Sequence, residues 1–332
     1  MIDKMSYFEG KNILITGGLG FIGSNLVHKY VELGANVTIL DCLDPSAGGN
    51  LFNVQDIRQS ISIQYSNIEN FDQVSNAVSD KDIIFNCAAF TSHSGSMKDP
   101  WINNTVNCVG TINLLEAIRR FNCSVKLIHV GTSTQIGKMV HQPINETHSE
   151  FPLDFYSANK VVSEKYVLIY AKMYGIRATC IRLSNGFGPR ANISRSDLAF
   201  NNYFIGLALQ GKDILVYGTG DQKRNILYVD DAVNALILAS QSEKTNAETF
   251  FAVSDEHFSV AQIAETIVKI IGSGRVKYVE WPNDKVSTEI GDAIISNEKI
   301  KSVLPWTPQI SLETGLTMTK EYYKKYLNEY LR

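Results

Sequence analysis

The sequence predicts an α/β protein: a doubly wound parallel sheet followed by a smaller α/β C-terminal lobe. Three observations carry that expectation. Apolar runs of strand length alternate with segments of helical spacing through the first half. One run, Asp82-Ile83-Ile84-Phe85-Asn86-Cys87, is almost continuously apolar, as befits a parallel strand covered on both faces. A glycine cluster, Gly17-Gly18-Leu19-Gly20-Phe21-Ile22-Gly23, joins the first apolar run to the first helical segment.

The elements follow in order. Residues 12–15 read as the first strand and 21–33 as a helix. Strands are expected at 36–40, 61–65, 82–87, 125–130 and 178–183. Long helices are expected near 100–118 and at 156–174, the second stopped by Gly175. After Asn185 the rhythm changes, and Pro189, Asn192, Ser194 and Ser196 mark irregular chain. Helices are expected at 204–210, 230–240, 260–271 and 314–330, with strands at 214–217 and 248–253. This divides the chain into residues 1–184 and 185–332, with the chain free to cross back between the lobes. The second lobe should cap the strand ends, so the cleft between lobes is the expected site.

Composition excludes several classes. The 332 residues are 44% hydrophobic and 20% charged, with a formal net charge of -3. No basic field points to nucleic acid or an anionic membrane. The start, Met1-Ile2-Asp3-Lys4-Met5, has no signal-peptide core, and no run is long enough to cross a bilayer. Cys42, Cys87, Cys108, Cys123 and Cys180 lack C-x-x-C pairing, and most read as small core residues of a cytoplasmic protein. The six histidines lack metal-ligand spacing, so no metal is expected.

The glycines point to a dinucleotide. Gly18, Gly20 and Gly23 fit G-x-G-x-x-G, and Gly17, Gly20 and Gly23 fit a wider G-x-x-G-x-x-G. Such glycines permit a tight strand-to-helix turn, let backbone approach a pyrophosphate, and let helix press on strand. The helix N-terminus then offers free N–H groups to the anion. Asp41 stands roughly 20 residues on, where an acid binds the ribose 2′-hydroxyl of a Rossmann-type site. Its charge would repel a 2′-phosphate, and no Arg or Lys follows to accept one. NAD is therefore expected over NADP.

Tyr156-Ser157-Ala158-Asn159-Lys160 puts a phenol and an amine four apart on one helix face. A phenol titrates near ~10, and a nearby ammonium favours the phenolate. An amphipathic helix with a packed Tyr and a surface Lys would share this spacing.

Together these motifs resemble an extended short-chain dehydrogenase/reductase of the nucleotide-sugar epimerase/dehydratase family. The likeness runs from the glycine cluster through Asn86-Cys87-Ala88-Ala89, Asn107-Cys108-Val109-Gly110-Thr111 and Tyr156 to Lys160. It continues in Arg182-Leu183-Ser184-Asn185-Gly186-Phe187-Gly188-Pro189, in Gly218 to Arg224, and in Tyr228-Val229-Asp230-Asp231-Ala232. The resemblance implies that Tyr156 is the acid/base, with Lys160 as its partner and Thr132 as the Ser/Thr beside it. It assigns Gly17, Gly20, Phe21, Ile22, Gly23, Asp41, Asn67, Ile68, Ala88, Ala89, Asn107, Tyr156 and Lys160 to the cofactor. It assigns His93, Thr132, Asn185, Arg224 and Asp284 to a nucleotide-diphosphate sugar. The plain alternative for Arg224 is a surface ion pair and for Asn185 a turn residue, while His93 could equally cap backbone. The two long helices resemble those that pair in family homodimers.

Gly131-Thr132-Ser133-Thr134-Gln135-Ile136-Gly137 bears on the reaction. Family members similar to 4,6-dehydratases carry Asp-Glu after the Thr, and those similar to UDP-glucuronate decarboxylases carry a Glu at position 134. Ser133 and Thr134 cannot do carboxylate work near neutral pH. The expectation is NAD-dependent epimerisation, at C4, through a transient keto-sugar. Oxidoreductase or dehydratase chemistry on the same fold is one alternative, and a non-catalytic NAD-sensing scaffold is another. The chain departs from the family at Gly131 and Ile136, at Asn67 where an Asp is common, and at Trp281-Pro282-Asn283-Asp284-Lys285, where only Asp284 matches.

Overall fold

The computed structural model describes residues 7–44, 46–282, 286 and 289–331. Six parallel strands come first: β1 (Asn12–Thr16), β2 (Asn36–Asp41), β3 (Ile61–Tyr65), β4 (Ile83–Asn86), β5 (Lys126–Thr132) and β6 (Arg177–Leu183). Between them run α1 (Phe21–Glu32), α2 (Phe71–Val78), α3 (His93–Lys98), α4 (Pro100–Asn104), α5 (Gly110–Phe121) and α6 (Phe155–Tyr174). The second half holds β7 (Asn185–Phe187), α7 (Phe200–Leu209), β8 (Asp213–Tyr217), β9 (Lys223–Tyr228), α8 (Val229–Gln241) and β10 (Glu248–Ala252). It ends with β11 (His257–Ser259), α9 (Val260–Ile271), β12 (Arg275–Val279), α10 (Glu298–Val303) and α11 (Leu312–Tyr326).

The main sheet has the order β10-β6-β5-β4-β1-β2-β3, all parallel. Alternate residues of one strand enter different cores, because successive side chains leave opposite faces. Ile13, Ile15, Ile83, Phe85 and Ile128 pack with Leu26, Val27 and Tyr30 of α1 and with Leu236 and Ala239 of α8. Leu14, Ile84 and Leu127 pack on the other face with Val74 of α2, Leu114 and Ile118 of α5, and Val167 of α6. Each such side chain contributes about 1.5–3 kcal/mol when fully buried. Both faces are thus covered, which explains the unbroken apolar run at β4.

The second half does not stay in its own lobe. Helix α8 returns to the face that carries α1, and β10 adds to the sheet edge with Phe250 opposite Ile181. The remaining strands form small sheets, β11-β9-β7 and β12-β8. Strands β7, β9, β11 and β12 lie outside the elements the sequence predicts; each is short and earns its pairing from a distant partner. The expected helix at 100–118 is split by a π-turn at Thr105–Val109. There a Cβ on Gly110 would lie 2.4 Å from the Ile68 Cγ2, so the helix comes as near that residue as a glycine allows. The five cysteines are free: Cys108 and Cys180 are buried, but Cys42 and Cys123 are exposed rather than in the core. No described helix is long and apolar enough to cross a membrane.

Candidate active site

A cavity of about 410 Å³ lies at the C-terminal ends of β1, β2, β4, β5 and β6. Strand order reverses here between β1 and β4, where open α/β sheets bind ligands.

The glycine turn forms one wall, with Gly17, Gly20, Phe21, Ile22 and Gly23 all lining the cavity. Gly17 has φ +66, and a Cβ there would lie 2.8 Å from the Ala88 backbone. A Cβ on Gly23 would come within 2.2 Å of the Gly17 oxygen, so this glycine lets α1 press on the turn. A Cβ on Gly20 would meet only the Gly17 oxygen, at 3.3 Å, which leaves the cavity side open. Gly18 points elsewhere: its Cβ would sit 2.8 Å from Ile39. Of the two spacings in the sequence, Gly17-x-x-Gly20-x-x-Gly23 is therefore the one that shapes the site. Gly20 caps α1 without a side-chain bond, and the first turn carries no acid. That leaves a helix N-terminus facing an open cradle, the arrangement that receives a diphosphate.

Asp41 lines the same cavity. Its carboxylate accepts from the Leu19 amide at 3.0 Å and the Leu43 amide at 2.9 Å. Burial pushes its pKa up, and those two amides offset part of the rise. Asn67 and Ile68 lie on the wall near it, and Ala88 and Ala89 line the other side. The Ala88 amide is held by the Thr16 hydroxyl at 3.2 Å. Asn107 does not line the cavity; its side chain is buried and clamps the Phe90 backbone, accepting from the amide and donating to the carbonyl, each at 3.1 Å. It thus shapes the β4–α3 loop behind the wall.

Thr132 ends β5, Tyr156 opens α6, and Lys160 follows one turn on; all three line the cavity. The Tyr156 phenol faces the Thr132 side chain. Burial raises its pKa above the ordinary phenol range, and Thr132 offsets only part of that. The Lys160 amine donates to the Val130 carbonyl at 2.7 Å and to His129 Nε2 at 3.3 Å. Burial lowers its pKa to about 8.

His129 was not a sequence candidate. It is buried in β5, and its Nδ1 lies 3.1 Å from the Asn86 amide, which in turn meets the Thr16 hydroxyl at 2.8 Å. Burial, then the Lys160 charge, hold His129 well below its usual pKa, so it is neutral. The Asn86 amide nitrogen is the atom facing Nδ1, and the amide oxygen accepts from the Thr16 hydroxyl. A polar thread thus joins Lys160 to the Ala88 amide through β5, β4 and β1.

Helix α6 is set by its ends and by one buried network. Asp154 caps it by accepting from the Ser157 amide at 2.8 Å, and Gly175 closes it in the left-handed region. Glu164 accepts from Arg182 at 2.6 and 2.8 Å and from Gln135 at 2.9 Å. Arg182 also reaches Glu150 at 2.7 Å. These bonds fix the helix that bears Tyr156 against β6 and the turn after β5.

The remaining wall is the sugar-facing one expected from sequence. Thr134 lines the cavity, with its hydroxyl 3.0 Å from that of Thr132, whereas Ser133 is buried behind it. His93 lines the cavity, with Nδ1 2.8 Å from Asp154 Oδ2. Its ring stands edge-on to Tyr156, the centroids 4.9 Å apart. Burial pushes the Asp154 carboxyl up, but the His93 bond and charge and the Ser157 contacts outweigh it and hold the pKa below its usual value. Asp154 was missed as a site residue; its helix-cap spacing to Ser157 was legible, its second partner was not. Asn185 lines the cavity and donates to the Asn225 carbonyl at 3.1 Å. Arg224 does not line this cavity; Glu289 and the Gly291 carbonyl each accept from its guanidinium at 2.6 Å. Asp284 lies outside the described residues. Among the described residues, no group of three or more His, Cys, Asp or Glu side chains is placed to hold a metal ion.

Comparison with known proteins agrees with this geometry. The family model described as GDP-mannose 4,6 dehydratase matches residues 14–319. The chain belongs to that family, the extended short-chain dehydrogenases/reductases that include nucleotide-sugar epimerases and dehydratases. It is 31% identical to UDP-glucuronic acid decarboxylase 1 of Xenopus tropicalis, over 98% of this chain and 75% of that one. The structure of UDP-glucose 4-epimerase from Thermotoga maritima, with UDP-glucose, superposes with a TM-score of 0.86 at 29% identity, covering 95% of this chain and 99% of that one. That of dTDP-glucose 4,6-dehydratase from Bacillus anthracis, in complex with NAD, gives 0.84 at 26% identity, covering 97% and 99%. The likeness thus spans decarboxylation, epimerisation and dehydration, all nucleotide-sugar chemistry.

Proposed function

We propose that this enzyme is an NAD-dependent nucleotide-sugar epimerase that inverts C4 through a transient keto-sugar. One observation carries the choice within the family: beside Thr132 and Tyr156 the cavity wall presents the Thr134 hydroxyl, where dehydration or decarboxylation would call for a carboxylate.

The cradle fits NAD. The α1 N-terminus and Gly17, Gly20 and Gly23 would hold the diphosphate. Asp41 would bind the adenosine ribose, Asn67 and Ile68 the adenine, and Lys160 and Tyr156 the nicotinamide ribose. When bound, NAD supplies a reversible hydride acceptor and a positive charge that favours the Tyr156 phenolate. The side chains handle the proton. Tyr156 takes it from the carbinol oxygen and returns it to the ketone oxygen, and Thr132 hydrogen-bonds that same oxygen. Asn185 is the wall residue offered to the nucleotide diphosphate, since Arg224 is engaged by Glu289.

Trp101, Val109, Ile169 and Met173 are exposed on the helices from α4 to α6. These helices are the ones that the family resemblance pairs in a homodimer, and the exposed apolar side chains on them are compatible with that pairing. The unpaired cysteines suit the cytoplasm.

Proton NMR of UDP-glucose, UDP-N-acetylglucosamine and dTDP-glucose incubated with the purified protein tests the reading. A C4 epimer should accumulate with no net NADH. Loss of water, or no turnover of any of the three, refutes it.

A further inference from the structure

We infer that His93 and Asp154 form a second acid–base pair in this cavity, one that removes and returns the proton on a carbon next to the transient ketone. The inference rests on the proposed keto-sugar reaction and adds a second activity to it.

The pair is arranged as a base. A carboxylate only accepts, so His93 Nδ1 carries a proton in its 2.8 Å bond to Asp154, which leaves Nε2 as the nitrogen that carries the lone pair in the neutral ring. Nε2 has no hydrogen-bond partner among the described residues. Asp154 is anchored on α6 by the Ser157 amide at 2.8 Å and the Ser157 hydroxyl at 3.2 Å, so the imidazole is fixed to the helix that carries Tyr156. A side chain meant only to hold a sugar hydroxyl needs no carboxylate behind it. A carboxylate there fixes the tautomer and stabilises the imidazolium that proton abstraction creates.

The location is the second part. The His93 ring packs edge-on against Tyr156 with centroids 4.9 Å apart. A sugar whose reacting oxygen meets the Tyr156 phenol therefore brings its neighbouring carbons toward His93. A C–H beside a carbonyl is acidified only while the ketone exists. Its bond breaks, the proton passes to Nε2, and the electron pair moves into the carbon–carbon bond and onto the carbonyl oxygen. That oxygen faces Tyr156 and Thr132, which donate to it. Return of the proton from Nε2 restores the ketone, so the step consumes no oxidant. The His93 side chain is 42% exposed, so the proton on Nε2 can exchange with solvent before it returns. The carboxylate absent at positions 133 and 134 is thus replaced, as a base, from a different element.

The test uses the three nucleotide sugars in D₂O, read by proton NMR and mass spectrometry. Hydride return alone leaves every ring carbon unlabelled. The dyad puts deuterium on C3 or C5 of the sugar that turns over. In His93→Gln the label per turnover should fall by about 10²-fold. Asp154→Asn keeps a helix cap and should also lower it. Epimerisation without label at C3 or C5 overturns this inference and leaves the epimerase reading intact. Label that persists per turnover in His93→Gln overturns the assignment to His93. No turnover of any sugar overturns the epimerase reading, and this one with it.

Discussion

The phenol of Tyr156 faces the Thr132 side chain at the end of β5. Lys160 turns instead to the Val130 carbonyl and to His129. Burial keeps the phenol protonated, so the protein alone holds an acid where the oxidising half-reaction needs a base.

Tyr156→Phe should therefore abolish proton transfer while sparing the cradle. Turnover is expected to drop by about 10²–10⁴-fold. Cofactor released on denaturation, read by absorbance, should match the wild type. Near-full turnover would show that another group handles the proton.

The glycines separate fold from ligand. In Gly23→Ala the new Cβ meets the Gly17 oxygen at 2.2 Å, so both the thermal midpoint and bound NAD should fall. Gly20→Ala meets nothing nearer than 3.3 Å. It should keep a near-wild-type midpoint and lose NAD, because the methyl enters the space the diphosphate needs. Thermal scans with calorimetric NAD titration distinguish the two.

Arg182 and Glu164 are both fully buried and joined at 2.6 Å. Arg182→Leu leaves the buried Glu164 carboxylate with only Gln135 at 2.9 Å and Lys165 at 3.7 Å, and should cost about 3–5 kcal/mol. The double change Arg182→Leu, Glu164→Leu should cost less, since no charge is stranded. Urea denaturation of both variants measures the difference. Equal losses would mean that the pair does not position α6 through its charge.

Lys160 makes stability depend on pH in a defined direction. Its pKa is about 8 in the folded protein against 10.5 for the free side chain. Between those values the unfolded chain binds more protons, so this group's contribution to stability rises with pH. The penalty is fully present below 8 and gone above 10.5. The urea midpoint of the wild type relative to Lys160→Met should shift in favour of the wild type as pH climbs through that window. A constant difference would place the Lys160 titration elsewhere.

Much of this was legible in the sequence, for local reasons. The apolar runs of β1 to β6 declare strands because a doubly covered sheet needs them, and Gly175 declares the end of α6. The cavity gathers most of the predicted residues because they follow strand ends, where this topology puts its ligand. What was not legible depends on distant partners. Spacing could not tell Gly17 from Gly18, because only Ile39 shows which one faces the packing. Helical periodicity could not foresee the π-turn that buries Asn107. Glu289, which accepts from the Arg224 guanidinium, lies far along the chain from it. The step from Tyr156 to Lys160 gave a shared helix face, but the reach of Lys160 to Val130 and His129 is set by the sheet beneath. His129 itself looked like one polar residue in an apolar strand.

The central claim is that hydride leaves and returns to one carbon. A nucleotide sugar carrying deuterium at C4 tests it most directly, with product read by proton NMR. The expected result is a C4-inverted sugar that still holds its deuterium at C4. Deuterium lost to solvent, or found on another carbon of the sugar, would contradict the account.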